Sequence, residues 1–63
     1  MVVEDPCMLL REEIGIARSY AEKLLIRMQK TPGVDPVMAE YAWLQVDAGY
    51  AALIDVVPMK SPV

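Results

Sequence analysis

The sequence contains no histidine and only one cysteine, Cys7. One thiol cannot close a disulfide within the chain, and a structural zinc site lacks its usual ligands. Nucleophilic catalysis lacks the usual base, so Cys7 is interpreted as a small apolar residue near one end of a helical bundle. The three glycines are isolated, so no phosphate-binding loop is present. We therefore expect a protein that is not an enzyme and uses no metal, cofactor or small-molecule substrate.

Positive charge is also sparse. The chain has six Lys and Arg and nine Asp and Glu, which gives a net charge of −3. The basic residues form no block and are not interleaved with aromatic residues. Nucleic-acid binding is therefore not expected. The first ten residues lack the basic segment of a signal peptide, and the most apolar stretch, 37–57, contains Glu40, Asp47 and Asp55. The sequence thus predicts no membrane insertion and a reducing, cytoplasmic location.

Apolar residues are in excess for so short a chain. Hydrophobic residues make up 56% of the 63 positions, whereas an average globular domain has about half or less. A domain of this size buries too little apolar surface to be comfortably stable alone. The sequence predicts one domain over 1–63, with short flexible ends at 1–4 and 58–63, whose remaining apolar surface faces another chain.

Two Asp-Pro pairs mark the starts of two helices. Asp5-Pro6 and Asp35-Pro36 each combine a good N-cap with a proline at the first helical position. Pro32-Gly33 ends the first helix, and Pro58 ends the second. We predict an all-α fold, an antiparallel two-helix hairpin over about 6–30 and 36–57. It would complete a four-helix bundle by self-association or by docking on a partner.

A heptad pattern on each helix suggests how the two helices pack. The first runs through Leu10, Ile14, Ala17, Ala21, Leu24 and Met28, and the second through Met38, Ala42, Gln45, Gly49, Ala52 and Val56. Both have the 4-3-4-3-4 spacing of a bundle seam. In the matching register Ala17 faces Gly49, and Arg27 lies near Glu40. Arg11 and Arg18 are assigned to the solvent side.

Apolar residues outside this predicted seam are candidate interface residues. One stripe on the second helix comprises Trp43, Val46, Tyr50, Leu53 and Val57, and another strip comprises Leu9, Ile16, Tyr20, Tyr41 and Leu44. Trp and Tyr are residue types that dominate binding energy at helical contacts. The Trp43 stripe is either the core of a homodimer or a recognition surface for a different protein.

These features favour a small acidic interaction module, such as an adaptor, inhibitor or regulatory subunit. Its partner would be another protein, a second copy, or both. Two other functions remain open: a small chaperone that covers an apolar helix of a client, and a structural subunit of a larger assembly.

Overall fold

The structure, a computed structural model, describes residues 5–59. It contains two helices, α1 (Pro6–Gln29) and α2 (Pro36–Val56), and no strand within those residues. The helices pack on each other, which confirms the predicted all-α hairpin, and each ends one residue before its predicted end. The predicted flexible ends fall largely outside the described residues. Pro58 and Met59 lie within them and follow α2.

Each helix begins at the predicted aspartate cap. The Asp5 side chain accepts a hydrogen bond from the backbone N–H of Cys7, at 2.9 Å. Asp35 Oδ1 accepts from the N–H groups of Val37, at 2.9 Å, and Met38, at 3.4 Å. These bonds satisfy amides that have no partner inside the helix. The two caps therefore fix where α1 and α2 start.

The turn between the helices is held by backbone bonds and one glycine. Thr31 N–H donates to Met28 O, and its hydroxyl donates to Arg27 O at 2.7 Å. Gly33 has a φ of 91°, a left-handed conformation that favours glycine. Val34 N–H then donates to Thr31 O. This tight turn forces α2 to run antiparallel to α1.

The seam is the line along which α1 and α2 face each other. On α1 the less exposed residues are Cys7, Arg11, Ile14, Arg18, Ala21 and Leu25, and on α2 and its C-cap they are Ala39, Trp43, Asp47, Tyr50 and Val57. Cys7 and Ala39, each 7% exposed, are the most enclosed. Of the described residues, no large side chain is fully buried. The two helices alone therefore do not enclose a core.

This seam has a different phase from the predicted one. Ile14 and Ala21 belong to both, but the predicted α2 line through Ala42 and Gly49 is exposed, and Trp43 and Tyr50 lie in the seam instead. The lengthwise register is close to the prediction. With Ala17 facing Gly49, the predicted register sets Arg18 level with Ala48, and in the structure Arg18 bonds the adjacent Asp47. The observed seam thus differs from the predicted one by a rotation of each helix about its own axis.

Arg11 connects the two helices at the open end of the hairpin, opposite the turn. Its guanidinium donates hydrogen bonds to the carbonyl oxygens of Val57, Pro58 and Met59, with distances of 3.1 Å to Val57 and to Met59. These carbonyls belong to the C-cap residue of α2 and to the two residues that follow it. Arg11, which was predicted to face solvent, therefore holds the end of α2 against α1.

Candidate apolar interface

The two broad sides of the hairpin differ in chemistry. Each residue of an α-helix is rotated by about 100° from the residue before it. Residues that flank the seam in one rotational direction therefore lie on one broad side of the hairpin, and residues that flank it in the other direction lie on the opposite side. One side, here called the apolar face, consists of Leu10, Ala17, Leu24 and Met28 of α1 and Ala42, Val46, Gly49 and Leu53 of α2. All of these residues are exposed, and none is charged. Exposed Glu13 lies toward the outer edge of α1 on the same side.

A shallow groove lies in the apolar face near the turn. It has a volume of about 130 Å³ and lies between the helices, with Leu24, Met28 and Ala42 among its lining residues. The remaining lining residues are Ala21, Leu25, Ala39, Trp43 and Val46. An apolar cavity of about 150 Å³ holds a benzene ring, so the groove can accept about one large apolar side chain.

The opposite side, here called the polar face, carries most of the charged contacts. It includes Glu12, Ser19, Glu22, Glu40 and Asp55, with apolar Met8, Ile26 and Leu44 between them. Arg18 and Asp47 border it from the seam. Arg18 Nε lies 2.6 Å from Asp47 Oδ1, and Arg18 Nη1 lies 3.7 Å from Glu22 Oε2. The Arg18–Asp47 pair connects the two helices, and the Arg18–Glu22 pair lies within α1.

Arg18 also covers the indole of Trp43. The guanidinium carbon lies 5.6 Å from the ring centroid, within the range of a cation–π contact. The Asp47 carboxylate raises the pKa of Arg18 above its ordinary value, mainly by the side-chain hydrogen bond and next by Coulombic attraction. Arg18 was predicted to face solvent. It instead joins α1 to two residues of α2, whereas Arg27 and Glu40 form no ion pair in the described part of the chain.

The structure separates the predicted interface residues into three groups. Trp43, Tyr50 and Val57 are half-buried in the seam, and Val46 and Leu53 are exposed on the apolar face. The remaining five are exposed: Leu9, Ile16, Tyr20, Tyr41 and Leu44. Helical rotation puts Leu9, Ile16 and Tyr20 on the outer edge of α1 and Tyr41 on that of α2, so the predicted second strip is not one surface. Whether these residues bind a partner stays a prediction.

Several residues of the apolar face were not predicted as interface residues. Leu10, Leu24 and Met28 had been assigned to the helix–helix seam, yet Leu24 is 52% exposed and Leu10 is 47% exposed. The sequence feature that marks these residues is their heptad spacing, together with the small residues Ala42 and Gly49 on the matching line of α2. The periodicity correctly marked an apolar surface. It did not distinguish the seam from the face beside it.

The described residues contain no group of three or more Cys, Asp or Glu side chains suited to a metal ion. In the same range, neither helix combines the length and apolarity that a membrane crossing requires. Comparisons of the chain with models of protein families, with curated proteins and with solved structures gave no match.

Proposed function

We propose that this protein is a small, non-catalytic interaction module that packs its apolar face against helices of another protein chain. It acts in the cytoplasm as an adaptor, inhibitor or regulatory subunit. The observation that supports it is the uncharged face that includes Leu10, Leu24, Val46 and Leu53, which the hairpin leaves exposed. Contiguous apolar patches of this kind are typical of protein–protein contacts.

The difference between the two faces supports the same proposal. The polar face carries Glu12, Glu22 and Glu40, whereas the centre of the apolar face is uncharged and Glu13 lies toward its outer edge on α1. Interfaces are depleted of charge at their centre and polar at their rim. A hairpin that acted from both sides would show no such asymmetry. The apolar face is therefore the binding side, and the polar face contacts water.

Leu24 and Ile26 allow a matched test of the binding side. They lie on the same helix, are 52% and 48% exposed, and face opposite sides of the hairpin. A photo-crosslinking phenylalanine analogue is introduced at either position, and cells that express the full chain are irradiated. We expect discrete protein adducts from position 24 and few from position 26. Mass spectrometry then identifies the partner in each adduct.

The outcomes of this experiment separate the alternatives. An adduct at position 24 of twice the chain mass identifies a second copy, and any other discrete mass identifies a different protein. Either result supports the proposed function. Equal labelling at both positions, or no adduct at position 24, contradicts the claim that the apolar face is the binding side.

A further inference from the structure

We infer that the partner covering the apolar face is a second copy of this chain, which packs face to face to form a four-helix bundle. This inference rests on the proposed function, because it names the occupant of the same face. A second copy presents the same uncharged surface, as a two-fold symmetric contact requires. Each copy would contribute one layer of two helices.

The shape of the hairpin argues for a second layer. Its dimensions are 51 × 23 × 9 Å, and the shortest is close to the width of one helix, about 10 Å. Stable domains consist of at least two packed layers around a shared core. The hairpin is a single layer in which no large side chain is fully buried among residues 5–59. Stacking two apolar faces supplies the missing core between the layers.

The exposed area agrees with a dimer of this kind. The chain exposes 5356 Å², whereas a compact protein of its mass exposes about 4,000 Å². The excess of about 1,300 Å² per chain falls in the range of obligate homodimers, which bury about 1,000–2,500 Å² per partner. A weak or transient contact would need less. The hairpin thus has enough excess exposed area for a stable dimer to bury.

The face also has a shape that a second copy can match. The groove near the turn is lined by Leu24, Met28 and Ala42 and has room for one large side chain. Leu10 and Leu53 project from the same face toward the open end. In a copy turned end for end, these leucines lie over the groove. Small residues at the middle of the face, Ala17 and Gly49, permit close approach of the helices.

Two glycines provide a matched pair of variants. A Cβ added at Gly49, on the apolar face, or at Gly15, on the opposite side, meets no atom within 4 Å. Gly49→Glu and Gly15→Glu add the same charge, and glutamate has a higher helix propensity than glycine. Neither change disturbs a contact within the chain. Only Gly49→Glu puts a carboxylate into the proposed interface.

Sedimentation equilibrium of the full chain tests the inference. Concentrations run from about 1 µM to about 500 µM, since interfaces of this area give dissociation constants in the micromolar range or below. We expect a dimer for the wild type and for Gly15→Glu. Gly49→Glu should weaken dimerisation at least about 100-fold, because it buries an unpaired charge. Loss of helix with loss of the dimer in Gly49→Glu alone also supports the inference, since no contact within the hairpin is changed.

Three results would overturn the inference. They are a folded wild-type monomer throughout this range, a dimer that Gly49→Glu leaves intact, or equal dissociation by both variants. A monomer that still gives a face-specific adduct with another protein from position 24 would leave the proposed function standing. Absence of that adduct as well would remove both.

Discussion

Arg18 combines three contacts that usually require separate residues. It bonds Asp47, pairs with Glu22 and lies over the ring of Trp43. A guanidinium can do this because it is planar, donates in several directions and stacks on aromatic faces, whereas an ammonium is a compact point charge. Trp43 thus lies in the seam beneath a charged group. Its environment is therefore set by contacts within one chain.

Trp43 should stabilise the packing of the two helices. Trp43→Ala removes an indole that is half-buried between the helices, so it should lower the free energy of unfolding by about 2 kcal/mol, roughly half the value for a fully buried tryptophan. Tyr41→Ala is the control, because Tyr41 is exposed on the outer edge of α2 and should cost under about 0.5 kcal/mol. Urea denaturation at one protein concentration measures both. Equal losses would show that Trp43 is not part of the seam.

The aspartate caps determine where both helices begin. The cap of α2 gives the clearer test, because Asp35 accepts hydrogen bonds from two backbone amides. Asp35→Ala removes the acceptor of the Val37 and Met38 amides and should lower the free energy of unfolding by about 1 kcal/mol. Asp35→Asn retains an acceptor and should restore most of it. Glu12→Ala, at an exposed site within α1, should change it by under about 0.5 kcal/mol. An effect of Asp35→Asn as large as that of Asp35→Ala would indicate that charge, rather than the cap, is responsible.

The helix boundaries were predictable from the sequence because they depend on local chemistry. Asp5, Asp35 and Gly33 act on amides or dihedral angles within a few residues of themselves. The phase of the seam depends on contacts between helices. Two lines on α1 share heptad spacing. The predicted seam used the uncharged line, and Arg11 and Arg18 were assigned to the solvent side. Those arginines lie in the seam because each finds its partners on α2.

At the scale of the whole molecule, this rotation changes which surface is left over. With Trp43 and Tyr50 turned into the seam, the apolar heptad through Leu10 and Leu24 becomes an outer face. The apolar excess in the composition had already predicted that some surface would need cover, since 56% of residues are hydrophobic. Composition could not identify that surface, because it gives no information on which way each side chain faces. Val46 and Leu53 were the members of the predicted stripe that the structure leaves on this face.

The salt dependence of association tests whether ion pairs between copies contribute to the dimer. Raising NaCl from about 0.1 M to about 1 M shortens the screening length from about 10 Å to about 3 Å. The apolar face has no charge to screen, while each copy has a net charge of −3, so two copies repel each other less at high salt. The dissociation constant of the dimer, measured by sedimentation, should therefore stay constant or fall. A dissociation constant that rises with salt would require attractive ion pairs between the copies. The apolar face does not supply such pairs, so that result would contradict association through it.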